Sequence, residues 1–204
     1  LKPLSHWLRM IAQRLDEIDV GYALVGALAV GVRTEPRFTR DIDLAVSVAS
    51  DAEAEKAAGH LIRYGFRLVE EFDHDKTGRL VTGRFAPPGI DLSMIEGNKP
   101  VVADLLFMTS GIEPEIVASA TPFEIIPGLV IPVAQTAHLI AMKLLSVSKH
   151  RPRDTDDLQQ LILGATADEL KHAHQLAGLI MERKKEIRRD LHAALDRYIK
   201  RWKK

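Results

Sequence analysis

Two aspartates separated by one residue, Asp41-Ile42-Asp43, are the first feature of this chain that could do chemistry. In a β-strand, residues two apart share a face, so Asp41 and Asp43 project together while Ile42 and Leu44 turn toward the core. Two facing carboxylates without a cation repel, and one is driven to take up a proton. A divalent metal between them makes the arrangement favourable. Oxygen donors with no Cys or His nearby suit Mg²⁺ or Mn²⁺ rather than Zn²⁺. A second run, Ile90-Asp91-Leu92, offers a lone acid between two apolar residues. If that strand pairs beside the first, Asp41, Asp43 and Asp91 converge, enough for two ions about 3.5–4 Å apart. Turn or capping acids at strand starts give the same spacing, so the pair alone leaves both readings open. Upstream, Leu24-Val25-Gly26-Ala27 places a glycine where a strand runs into a helix. Backbone N–H groups at such a junction can bind phosphate; a tight turn is the other reason for a glycine there.

Cationic side chains supply the rest of the candidate chemistry. On a helix around Leu139, positions 136, 139, 140, 143, 144 and 147 share one face, and all are apolar except Thr136 and Lys143. A lysine inside an apolar stripe must snorkel out, pair with an acid or lose its proton. Arg40, Arg151 and Arg153 are candidate phosphate contacts, since guanidinium forks match phosphate oxygens. A solvated surface role is the alternative for each. In the run Arg151-Pro152-Arg153-Asp154-Thr155-Asp156-Asp157, Asp154 is placed to cap the helix that buries Leu158, Leu161 and Ile162. Asp157 falls on the flank of that apolar face and Asp156 points away from it. His172 and His174, two apart on a helix, diverge and make no metal pair. The chain carries no H-x-x-x-H, G-x-S-x-G or Walker-type glycine loop, so hydrolase and P-loop readings have no support.

The elements that must position these residues follow from periodicity and breakers. Strands are expected at Val20–Val25, Ile42–Val48, Phe66–Phe72, Leu80–Phe85 and Ile90–Ile95, with a hairpin over Thr121–Val133. Helices are expected over the first fifteen residues, from Ala27 to Thr34, and from Asp51, as a possible cap, to Tyr64. After Val133 the pattern is helical only: Ala134–Lys149, Asp154–Leu163, and a helix opened by the capping box Thr166-x-x-Glu169 and followed by a basic tail. The expected fold is therefore α+β: a small mixed-sheet core over residues 1–133, then an α-helical half over 134–204 that completes the cleft.

Composition bounds the function classes. The 204 residues are 46% apolar and 27% charged, enough to bury a core, and they include no cysteine. Disulfide frameworks, thiolate zinc sites and cysteine nucleophiles are excluded, and a cytoplasmic location fits. The longest uncharged run, Ile125–Met142, contains Pro127, Gly128 and Pro132 and makes a poor membrane span; the N-terminal residues lack the apolar core of a secretory signal. The net charge is zero, but Glu182–Lys204 holds ten Lys/Arg against four Asp/Glu. An acidic body with a basic end suits a metal-dependent enzyme acting on a polyanion, and a solvated helix face is the plainer account of the tail.

Taken together, LVGALAV, RFTRDIDLAV and the later IDLSMI resemble the DNA polymerase β-like nucleotidyltransferase superfamily. Within it the chain is most similar to the minimal nucleotidyltransferases related to AbiEii and MenT-type toxins, over about Val20 to Leu163. The resemblance implies that Asp41 and Asp43 hold the metals and triphosphate, and that Asp91 completes the site and helps to activate the acceptor. It implies that Lys143, in AMKLLSVSKHRPRDTDDL, faces the nucleotide phosphates, with Asp157 a site-facing acid that holds Lys143 or an arginine. Gly26, Ala27, Arg40 and Arg151 would contact the nucleotide. The chain departs from the pattern at Ala27, where the family usually carries Gly or Ser, so a hydroxyl that could touch phosphate is missing. The implied activity is transfer of a nucleoside monophosphate from an NTP to an acceptor. The acceptor would be RNA such as a tRNA 3′ end, and the protein a toxin neutralised by an antitoxin. A small-molecule nucleotidyltransferase that inactivates an antibiotic, and a binding module that has lost its chemistry, are the alternatives.

Overall fold

The structure, a computed structural model, describes residues 4–73, 80–90, 101–148 and 150–203. The chain opens with helix α1 (Leu4–Asp16), whose buried side, Trp7, Leu8, Ile11, Ala12 and Leu15, has the three-to-four spacing of an amphipathic helix. Strand β1 (Tyr22–Val25) is buried at all four residues and passes without a loop into α2 (Gly26–Arg33). Strand β2 (Asp41–Val46) follows, then α3 (Asp51–Arg63), β3 (Arg67–Asp73) and β4 (Leu80–Ala86). Next come β5 (Val102–Leu106), α4 (Glu113–Ser119) and the hairpin β6 (Thr121–Ile126) and β7 (Leu129–Val133). Four helices end the chain: α5 (Thr136–Ser146), α6 (Pro152–Gly164), α7 (Ala167–Arg183) and α8 (Leu191–Trp202).

The strands form one seven-stranded sheet in the order β3-β4-β5-β2-β1-β7-β6. β2 lies at its centre, antiparallel to β1 and parallel to β5, while β1 and β7 are also parallel. The expected α+β plan with a mixed sheet is therefore correct. A continuous cluster of buried residues runs from Trp7 to Leu195 and includes side chains of the sheet and of every C-terminal helix. At its centre is α5, which touches α2, α6, α7 and α8, so burial extends well beyond one stripe: Ala137, His138, Leu139, Ile140, Ala141, Lys143 and Leu144 are all enclosed. Among the described residues no helix is long and apolar enough to cross a membrane.

Several elements differ from their expected form. Ser50, and not Asp51, caps α3, its hydroxyl accepting from the Glu53 backbone N–H, and Gly65 ends that helix in a left-handed turn. Pro152 occupies the first turn of α6, where its missing N–H costs nothing. The helix thus starts before Asp154, whose carboxylate turns to Lys143 instead of capping. The strand paired beside β2 is Val102–Leu106, a run passed over in the sequence, as was α4; positions 91–95 of the expected Ile90–Ile95 strand lie outside the described residues. The basic tail forms a last helix of its own, α8, capped by Asp190, the first of the two forms its sequence allowed, and does not continue α7. The Thr166–Glu169 capping box forms in both directions. Thr166→Ala is expected to lower unfolding free energy by about 1 kcal/mol in urea denaturation, the usual cost of a lost cap.

Candidate active site

β1 and β2 pair in a register that sets Val25 opposite Asp43, so the next residue, Gly26, turns directly over the Asp43 carboxylate. Gly26 adopts φ +63°, and a Cβ there would stand 2.0 Å from Asp43 Oδ2. Both the backbone conformation and the space demand glycine. The first turn of α2 thereby begins beside the acid.

On its other side β2 pairs with β5, Asp43 lying opposite Asp104, and β4 sets Arg84 opposite Asp104 in turn. β3 adds Glu70 opposite Arg84. A row of charges, Glu70, Arg84, Asp104 and Asp43, thus crosses four adjacent strands on one face. Arg84 grips Asp104 with both prongs of its guanidinium, at 2.9 Å each, and reaches Glu70 at 3.2 Å. Among the described residues Asp43 has no such clamp. Desolvation first, then the charges of Asp104 and Asp41, push its pKa from the ordinary carboxylate range up to about 7, and Lys143 and Arg84 only partly offset them.

Lys143 approaches from α5. It is 9% exposed, and its ammonium lies 2.5 Å from Asp154 Oδ1 and 2.8 Å from Asp157 Oδ2. Of the three routes open to a lysine on an apolar stripe, this one pairs with acids. Its third N–H is left to point elsewhere. Asp157, 2% exposed, is also held by Arg37 through Nε at 2.7 Å and Nη2 at 2.8 Å. Burial works against its charge, but the hydrogen bonds from Arg37 and Lys143 prevail and keep the carboxylate below its ordinary pKa.

Gly26, Asp41, Asp43, Lys143 and Asp157 thus gather around one end of β2. Ala27 is the second residue of α2 and is half-buried. Arg40 lies over the ring of Phe38, 5.5 Å from its centroid. Arg151 precedes α6 with its side chain 68% exposed and 3.8 Å from Asp154. Asp91 lies outside the described residues. Sequence reasoning missed Asp104, Arg84 and Arg37. Val102-Ala103-Asp104-Leu105-Leu106 has the same signature as Ile90-Asp91-Leu92, a lone acid among apolar residues, and could have been read as an equal candidate. No local pattern announces the partners of Arg84 and Arg37.

The residues present offer a divalent cation a partial cradle. Asp41 and Asp43 supply oxygen donors from one face of β2, and Asp43 is a carboxylate whose charge the protein leaves largely uncompensated. Among the described residues, no group of three or more acids or histidines is disposed to hold an ion, and Asp104 is committed to Arg84. The donor chemistry suits Mg²⁺ or Mn²⁺.

A mixed sheet whose central strand carries paired acids beside a glycine turn fits a nucleotidyltransferase. The chain belongs to the AbiEii nucleotidyl transferase toxin family of type IV toxin–antitoxin systems, which matches residues 20–201. No protein of curated function matches the chain significantly. Its fold is similar to that of an antigenic nucleotidyltransferase-like protein from Paracoccidioides brasiliensis, at 19% identity and a TM-score of 0.52 over 95% of this chain and 92% of that one. The solution structure of the antibiotic-resistance factor ANT(2″)-Ia matches at 18% identity and 0.51 over 97% and 96%. A crystal structure of ANT(2″)-Ia in complex with adenylyl-2″-tobramycin matches at 15% and 0.52 over 88% and 97%. At these identities the likeness establishes the fold.

Two outcomes follow from the environment of Asp43. Its raised pKa means the folded protein binds a proton that the unfolded chain releases near pH 4, so metal-free stability falls as pH rises from about 4 to about 7. Asp43→Asn should therefore raise the thermal midpoint at pH 8 in chelator, and the gain should shrink at pH 5 and vanish only below about pH 4. Gly26→Ala should destabilise by more than about 1 kcal/mol, since it adds left-handed strain to the collision with Asp43; urea denaturation measures it.

Proposed function

We propose that the protein transfers a nucleoside monophosphate from an NTP to an RNA acceptor, the 3′ end of a tRNA, and releases pyrophosphate. The observation that carries the reading is Asp43: a carboxylate desolvated between Asp41 and Asp104, directly under the glycine turn that opens α2. Mg²⁺ or Mn²⁺ held by Asp41 and Asp43 would neutralise the triphosphate and lower the pKa of the acceptor hydroxyl.

The chain's own groups do the rest. Backbone N–H groups after Gly26 receive phosphate oxygens, and the absence of a side-chain hydroxyl at Ala27 leaves that contact to the backbone. Lys143, immobilised by Asp154 and Asp157, directs its remaining N–H at the charge that develops as pyrophosphate leaves. Arg37 fixes Asp157 and is a positioning residue. Asp91, the third acid named from the sequence, would help to activate the attacking hydroxyl, while Asp104, clamped by Arg84, adds negative charge beside Asp43. Arg151 and Arg153, exposed at the start of α6, would meet phosphate.

Support for an RNA acceptor comes from the segment between α7 and α8. Lys185, Arg188 and Arg189 are exposed there, and Arg189 donates to the carbonyl of Val147, just past the end of α5 that carries Lys143. Positive charge is thereby held beside the loop leading into Asp154 and Asp157. As a family member of this kind the protein would act as a toxin, restrained by an antitoxin protein or by phosphorylation.

The fold it shares with ANT(2″)-Ia keeps a small hydroxylated acceptor as the second reading. Incubation with each α-labelled NTP, Mg²⁺ and either total RNA or a panel of aminoglycosides separates the two, label in RNA being the expected result. Asp43→Ala should reduce transfer by at least a thousandfold with the fold retained by circular dichroism. Lys143→Ala should weaken NTP affinity and turnover together; unchanged values of both would remove Lys143 from the reaction.

A further inference from the structure

Phe38 is the most exposed large apolar residue described, at 77%, and it sits in the short connection between α2 and β2. Both flanks of that connection are tied to the site. Arg37, its immediate neighbour, is clamped to Asp157, and Asp41 begins β2 three residues later, so the Cα of Phe38 lies within about 11 Å of that of Asp41. The backbone N–H of Asp41 donates to Thr39 Oγ1 at 3.3 Å, which further fixes the stretch. An aromatic ring held in water on an anchored segment gains nothing for the fold. The Arg40 guanidinium lies over the ring, 5.5 Å from its centroid, which adds positive charge to the platform. Other exposed apolar residues, such as Val130 on the hairpin and Leu163 near the end of α6, have no comparable tie to the acids.

We propose that Phe38, backed by Arg40, is a stacking platform for an unpaired nucleobase brought to the carboxylates of β2. An aromatic face beside a guanidinium binds any base without reading its edges, and its place three residues before Asp41 keeps a base stacked there near the carboxylates of β2. The base belongs either to the NTP or to the 3′ end of the RNA acceptor, two sources of one chemistry. This assignment rests on the nucleotidyl-transfer reading above.

The test measures binding as well as turnover. In Phe38→Trp protein, indole fluorescence above the wild-type background is followed while ATP, CTP, GTP or UTP is added, and separately while a single-stranded RNA oligonucleotide is added. Quenching by one of the two sources is expected, and quenching by neither overturns the proposal even if the protein transfers no nucleotide to RNA at all. For turnover, Phe38→Ala should raise the KM of the stacked partner about tenfold with little change in kcat. Phe38→Tyr should restore the KM, and Phe38→Leu should not. The rise falls on the NTP if the platform serves the donor and on the RNA if it serves the acceptor. A Phe38→Leu protein with wild-type KM for both would show that bulk alone matters and would refute stacking. Because the side chain is exposed, the thermal midpoints of these variants should match that of the wild type.

Discussion

A desolvated negative charge at Asp43 is the constraint to which the rest of the centre answers. Strand pairing forces it opposite Asp104 and leaves Asp41 two residues away on the same face. Three acids so disposed destabilise the fold unless cations approach, and the protein distributes its own cations unevenly. Arg84 is given wholly to Asp104 and Glu70, while Lys143 is given to Asp154 and Asp157. Among the described residues, Asp43 is offset by the fields of Lys143 and Arg84 without a hydrogen bond to either. Such a carboxylate costs the metal-free fold stability, a cost that a divalent cation would relieve.

Asp157 performs a different task from the carboxylates of β2. It is almost fully buried, yet it stays ionised because two cations converge on it from separate parts of the chain, Arg37 ahead of β2 and Lys143 on α5. Through that one side chain the connection before β2, the central helix and the start of α6 are locked together. Removal of either cation would leave an under-compensated buried charge, so the three segments must be placed as a unit. The lysine is thereby held as a fixed ammonium with a hydrogen-bonding direction to spare.

The basic end of the chain is less free than its charge suggests. Arg183 holds Glu115 and the carbonyl of Gly111, Lys184 reaches the carbonyls of Met108 and Thr109, and Lys203 covers the carbonyls of Ile162 and Ala165 at the end of α6. These cations fasten α7 and α8 to the body, the last by meeting the negative end of a helix. The cations less committed to the body are Lys185 and Arg188, together with the exposed Arg197, Lys200 and Arg201 on α8.

Local rules settled much of this in advance. Alternation fixed β2 and the shared face of Asp41 and Asp43, the Leu24–Ala27 run marked the strand-to-helix turn, and Thr166 with Glu169 announced α7, because each depends only on neighbours a few residues apart. Asp154 was misjudged for a local reason as well, since Pro152 two residues earlier outweighs it as a helix start. Register is another matter. That Asp104 stands opposite Asp43 follows from the pairing of β5 with β2, and that is decided by the whole sheet order. The clamp of Arg37 on Asp157 spans 120 residues, and the glycine at 26 is required by a carboxylate on a different strand. Periodicity carries no information about such distant partners, so the sequence by itself determined which residues could do chemistry, and only tertiary packing decided which of them meet.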